Sequence, residues 1–236
     1  MHFLAFLAAA AVHSQAPLPV LWLAPTGEVL VQGKAVQPRI TEGAWRVRLS
    51  GGYAYNFNGV HGGVLLPDYS GLRLTGSMTM SLWLNLRSYV NSGPGAQILF
   101  RGDDRCGLDP YDLVIHSDGT IWFAVQDEQD HGYGVAGEIP LNRWTHVVAT
   151  FDASTGQLKL WLNDELVAFG KTTRRPFQVL DNSYAPGIGI GNVQNDHGPH
   201  NQPLNGMIAD LRLYDRVVEP GVTEELAPLW DSPPQE

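Results

Sequence analysis

An all-β chain, folded as a two-sheet antiparallel sandwich or jelly roll, is predicted by three observations. Short runs of alternating apolar and polar residues recur along the sequence, and that alternation is the period of a half-buried strand. Turn residues divide these runs at close intervals, supplied by 26 glycines and 16 prolines. Charged residues are only 17% of the chain, so runs of charged helix formers are few.

The elements follow in order. Val20 to Pro25 (VLWLAP) is a short apolar strand, and Trp45 to Leu49 (WRVRL) alternates. Ala54 to Phe57 precedes a glycine-containing turn, and Gly63 to Pro67 follows it. Gly76 to Leu86 (GSMTMSLWLNL) is the clearest strand: Met78, Met80, Leu82, Leu84 and Leu86 share one phase. Gln97 to Arg101 is next, then the polar loop GDDRCGLDP. Tyr111 to His116 and Thr120 to Gln126 are joined by Ser117-Asp118-Gly119, a hairpin signal because Asp-Gly tolerates tight-turn backbone angles. Trp144 to Phe151 and Gln157 to Asn163 form a second hairpin, and Asn163-Asp164 turns the chain into Glu165 to Gly170. Gly187 to Gly191 reads as a strand whose small residues allow close backbone packing. Met207 to Tyr214 completes the set, with at most one helical turn near Gly221 to Leu226. About a dozen short strands with such spacing indicate a sandwich or jelly roll.

Residues 1–14 read as a secretory signal peptide, because Phe3 to Val12 is an apolar run too short to span a bilayer. Residues 17–230 then form one domain, and 231–236 a disordered, proline-containing tail. The expected location is extracytoplasmic: secreted, periplasmic or on the cell surface. Cys106 is the single cysteine, which excludes an intrachain disulfide. The net charge of −9 argues against a nucleic-acid partner, whose affinity would come from clustered Lys and Arg. It suits neutral sugars, calcium or cationic partners. No later segment is apolar enough for a membrane helix.

Three strands put a tryptophan in the phase opposite the core. Trp83 accompanies Thr79, Ser81 and Asn85; Trp122 accompanies Thr120 and Gln126; Trp161 accompanies Lys159 and Asn163. A flat indole can stack on the C–H face of a sugar while nearby polar side chains bond its hydroxyls. Alternatively, loops cover the rings and make a satellite core. Recognition residues are also expected in three polar loops: Asp104, Arg105 and Tyr111 in the first, Gln126 and Asp127 in the second, Asn195 and His197 in the third. Simple solvation is the competing reading of each. Asp103, Asp104 and Asp109 form a further oxygen cluster without the ligand rhythm of an EF-hand. His197 and His200 are a poor metal pair in a loop containing Pro and Gly.

Catalytic signatures are missing. A glycosidase needs two carboxylates flanking the scissile bond, and E-x-D-x-E spacing is absent. The adjacent acids Asp103-Asp104 and Asp127-Glu128 would diverge on a strand. There is no G-x-S-x-G and no H-E-x-x-H.

Four blocks together resemble the laminin-G-like, concanavalin A-like jelly-roll domains of secreted proteins: Tyr55 to Gly59 (YNFNG), Leu74 to Asn85 (LTGSMTMSLWLN), Arg143 to Ala168 (RWTHVVATFDASTGQLKLWLNDELVA) and Leu204 to Val218 (LNGMIADLRLYDRVV). The third is the most specific. The resemblance implies a carbohydrate-binding or adhesion module, or alternatively an extracellular protein-interaction domain without a sugar ligand. A glycan-active enzyme is the third alternative. It also implies a structural role for Trp83 and for His146. Calcium, where the family holds it, draws on positions matched here by Asn58 and by Ala209, with Asp210 beside the latter. An Asn and an Ala where acids are expected weaken that site; a turn hydrogen bond at Asn58 and an ion pair at Asp210 are the alternative.

Overall fold

The computed structural model describes residues 17–89, 95–103, 105, 107–194 and 200–221. The strands begin with β1 (Leu21–Leu23), β2 (Val29–Val31), β3 (Lys34–Val36), β4 (Arg39–Ile40), β5 (Ala44–Leu49) and β6 (Gly52–Asn58). There follow β7 (Val64–Pro67), β8 (Met78–Leu86), β9 (Ala96–Gly102), β10 (Tyr111–Ile115), β11 (Thr120–Gln126) and β12 (Gly132–Glu138). The last are β13 (Trp144–Asp152), β14 (Gln157–Leu162), β15 (Glu165–Lys171), β16 (Gly187–Ile190) and β17 (Asn205–Tyr214). They form two sheets. One has ten strands in the order β15-β14-β13-β8-β17-β1-β2-β3, with β6 also on β17 and β5 on β6. The other has seven, in the order β12-β11-β10-β9-β16-β7-β4. Every pairing between these strands is antiparallel. This is the predicted jelly-roll sandwich.

The core lies between the sheets and follows the predicted phases. On β8, Met78, Met80, Leu82, Leu84 and Leu86 are each at most 1% exposed. From β11 come Ile121, Phe123 and Val125, and from β14 Leu158 and Leu160. Each such side chain contributes roughly 1.5–3 kcal/mol by leaving water. Asn163 and Asp164 both have positive φ, 49° and 66°, which closes the tight β14–β15 turn. On β16, a Cβ at Gly187 would stand 2.3 Å from the Leu66 carbonyl oxygen, and at Gly189 2.0 Å from that of Asn192. Only glycine lets the neighbouring backbone approach so closely.

Two expectations change. Residues 132–138 (GYGVAGE), whose alternation is too weak to predict a strand, form β12 at the edge of the seven-stranded sheet. Three glycines dilute the alternation there, and an edge strand needs few buried residues; Val135 is its one buried side chain. In addition, the second phase of β8 is not wet: Thr79, Ser81 and Asn85 are 0%, 3% and 3% exposed. Thr79 Oγ1 donates to the Arg216 carbonyl and accepts from the Val218 amide. The segment after β17 therefore covers that end of the strand. The predicted signal peptide, the tail and most of the predicted helical turn lie outside the described residues.

Candidate functional site

The outer face of the seven-stranded sheet carries a cavity of about 560 Å³, a size typical of small-molecule sites. Its floor follows from register. Tyr111, Leu113 and Ile115 of β10 point into the core, so Asp112 and Val114 point outward, with His116 just beyond the strand. Asp112 stands between Phe100 of β9 and Ala124 of β11, and Val114 between Gln97 and Trp122. Trp122 is half-buried and stacks on His116, with ring centroids 5.9 Å apart. It lies flat across β12, where a Cβ on Gly134 would come within 2.4 Å of its Cε2. The missing side chain of β12 thus sets the indole's pose.

The walls are loops. Arg105 binds Asp103 through both carboxylate oxygens, at 2.8 and 2.6 Å. The backbone amides of Arg105 and Asp181 also donate to that carboxylate. Gln126 accepts from the Asp109 amide at 3.0 Å and donates to Asp130. On the opposite wall, Gln97 Nε2 donates to Gln202 Oε1 at 3.0 Å. Val193, His200 and Gln202 bring in the ends of the 192–201 loop.

The carboxylates of this cavity differ. Burial pushes the Asp103 carboxyl up, but the hydrogen bonds from Arg105 and Asp181 outweigh it and hold it below the ordinary value. Burial pushes Asp112 up to about 7, against the opposing effect of a Gln97 hydrogen bond. Burial also raises Asp109 well above its ordinary value, and the nearby charges of Asp112, Asp103 and Asp130 add to this. Asp109 Oδ1 is sealed from bulk solvent and has no hydrogen-bond donor among the described residues.

The residues expected from sequence separate into three groups. Trp122, Arg105 and Gln126 line the cavity. Asp104, Asn195 and His197 lie outside the described residues. The structure places the rest away from the cavity. Tyr111 is fully buried in the core and donates to the Leu72 carbonyl, because its strand phase points inward. Asp127 caps its own turn by accepting from the Gln129 and His131 amides and pairs with Arg174 at 2.6 Å. Trp161 is on the outward phase of the ten-stranded sheet but only 7% exposed, with the Lys159 ammonium 5.5 Å from its ring centre. Trp83, half-buried, packs with Leu49, Ala54 and Ala209 in a satellite cluster and stacks on His146 at 5.1 Å. The three tryptophans do not share a sheet.

The proposed calcium residues do not fit the ion. Asn58 Oδ1 accepts from the Val60 and His61 amides. Asp210 binds Arg212 at 2.9 and 2.6 Å and accepts from Trp22 Nε1. Their oxygens are occupied, and they lie toward opposite ends of the β6–β17 pairing. No group of three or more His, Cys, Asp or Glu with metal-holding geometry occurs among the described residues. No helix among them is long and apolar enough to cross a membrane.

Sequence reasoning missed Asp112, Gln97, Phe100, His116 and Gln202, and placed Asp109 only in a cation cluster. The signal for Asp112 existed: YDLVI puts an acid in the outward phase of an otherwise apolar strand.

Comparison with known proteins agrees with this architecture. The solved structure of domain 4 of a GH43 extracellular arabinanase from Geobacillus stearothermophilus, in complex with arabinotriose, superposes with a TM-score of 0.66 at 18% identity. The match covers 90% of this chain and all of that domain. The receptor-binding domain of botulinum neurotoxin type G gives 0.63 at 14% identity, over 89% of this chain and 51% of that one. The binding domain of Paraclostridial Mosquitocidal Protein 1 gives 0.64 at 13%, over 84% of this chain and 48% of that one. The chain thus spans about half the length of the toxin domains. No curated protein matches the sequence. The model of the concanavalin A-like lectin/glucanases superfamily matches residues 57–221, and with the two-sheet jelly roll in place the chain belongs to that superfamily.

Proposed function

We propose that this protein is a noncatalytic carbohydrate-binding module acting outside the cytoplasm, with the cavity on the seven-stranded sheet as its binding site. The observation that carries this reading is the placement of Trp122 at the wall of a 560 Å³ cavity lined by three glutamines and Arg105. The indole offers a stacking surface, and the amides offer paired donors and acceptors for hydroxyls. The arabinanase domain was solved with arabinotriose, and one solved structure similar to this chain concerns botulinum neurotoxin type C and two ganglioside molecules. Both support a glycan over a protein ligand. The test is a glycan array followed by calorimetry on the positive glycans. Binding is expected, and Trp122→Ala should weaken it roughly thirtyfold without loss of fold. An array without signal, alongside capture of a protein partner, would replace this reading.

One observation favours a glycan-active enzyme: Asp112, raised to about 7, has the pKa of a general acid. Hydrolysis also needs an ionised, available carboxylate. The ionised one here, Asp103, has both oxygens engaged by Arg105 and backbone amides. We therefore expect no release of reducing sugar. Release that disappears in Asp112→Asn would establish the enzyme.

A further inference from the structure

A second open aromatic ring stands beside the cavity, past Arg105. Tyr184 is 46% exposed, and the Arg105 guanidinium lies 6.0 Å from its ring centre. Trp122 belongs to the other end. It shares a row of the sheet with Val114 and Gln97, whereas the loop that carries Arg105 leaves β9 just beyond the row of Tyr111 and Arg101. Along β10 those two rows are roughly 10 Å apart at the usual strand rise. The fold holds Tyr184 in place. It ends a single helical turn (Asn182–Tyr184) that Asp181 caps by accepting from the Ser183 amide. Ala185 follows at φ 50°, a left-handed conformation that is costly for a residue with a Cβ. The Asp181 amide is tied to Asp103, the carboxylate that also takes Nε and Nη2 of Arg105. One carboxylate, buried itself, thus fixes both the guanidinium and the turn that presents Tyr184. Arg105 Nη1 stays out of the pair and can donate to a hydroxyl between the rings.

Resting on the carbohydrate-binding reading, we infer that the ligand is a linear oligosaccharide that stacks one sugar on Trp122 and another on Tyr184, with Arg105 bonding hydroxyls between them. One sugar ring is too short to touch both aromatics. Trp, Tyr and Arg are the side chains that most often dominate binding energy, and here they follow one another along the cavity. Both rings are set before the ligand arrives, Trp122 by Gly134 and Tyr184 by its capped turn. Little ordering cost then falls on binding.

The experiment is calorimetry with arabino-, xylo- and cello-oligosaccharides from disaccharide to hexasaccharide. In the series that binds, affinity should step up by about tenfold at the length that first reaches the second ring, then level off. Tyr184 lies outside the hydrophobic core, so Tyr184→Ala should fold, which the unfolding midpoint checks. That variant should lose the step while its affinity for the disaccharide stays within about twofold, because the two contacts are distant. Tyr184→Phe, which keeps the ring, should retain the step. Affinity independent of length overturns the two-ring assignment and leaves the carbohydrate reading intact. So does a step that survives Tyr184→Ala, or an array on which only single or branched terminal sugars bind. An absence of binding to all three series and to every glycan on an array removes both readings.

Discussion

Trp161 and Trp122 occupy the same place in their strands, yet one is sealed and the other lines a cavity. Each is flanked by inward apolar side chains, Leu160 and Leu162 around the first, Ile121 and Phe123 around the second. Trp161 packs on the outer face of the ten-stranded sheet and is 7% exposed. It pairs in register with Val148, itself fully buried, and Lys159 leans over its ring. Trp122 instead faces Val114 on one side and the bare backbone of Gly134 on the other. The difference teaches that alternation reports which way a side chain points, while exposure depends on what the rest of the chain lays over it.

The largest expected effect breaks the pair apart. Trp161→Ala should cost about 3–5 kcal/mol of stability, the usual range for deleting a buried tryptophan, measured by denaturant unfolding. Affinity of the folded fraction for glycan should be unchanged. Trp122→Ala should do the reverse. It should lower glycan affinity by about 2 kcal/mol, roughly thirtyfold, as a central aromatic contact does, with little change in the unfolding midpoint. If both variants lose binding equally, the distinction between the two faces fails.

A third measurement isolates the floor of the cavity. Burial pushes the Asp112 carboxyl up to about 7 in the folded state, against about 4 in the unfolded chain. Between those values the folded state holds more protons, so stability from this residue is greatest below the lower value and falls as pH rises through the upper. Asp112→Asn removes that dependence. Its melting temperature should exceed that of the native protein above pH 7 by roughly 10 °C, with the gap closing by pH 4. A pH-independent difference would place the acid in a wetter setting.

Smaller still is the effect of Gly134→Ala. The new methyl would meet Trp122 at 2.4 Å and tilt the indole. Several-fold weaker binding is expected, with a stability loss of about 1 kcal/mol, the usual scale for a forced methyl. Calcium makes the smallest prediction. Because Asn58 and Asp210 spend their oxygens on a turn and an ion pair, added calcium should leave the melting temperature unmoved.

Much of the fold was legible because strand phase is a local property. Met78 to Leu86 alternates in sequence and in space, and Asp118-Gly119 and Asn163-Asp164 turn the chain where their backbone freedom allows. The candidate site was only partly legible. Trp122, Gln126 and Arg105 stood out as residue types. Tyr111 did not reveal its inward phase, because its strand begins at the edge of a polar loop. Asp127 looked like an open acid, and its partner Arg174 comes from a distant part of the chain.

The sequence by itself determined the sandwich, the inward residues and the turns, since each depends on spacing within a few positions. Tertiary structure alone decided which outward face stays open. Asp103 meets the Asp181 amide, Gln97 meets Gln202, and Thr79 meets Arg216 across long stretches of chain. Such contacts set desolvation, and desolvation separates a buried tryptophan from a binding wall and an ordinary aspartate from one that holds its proton near neutral pH.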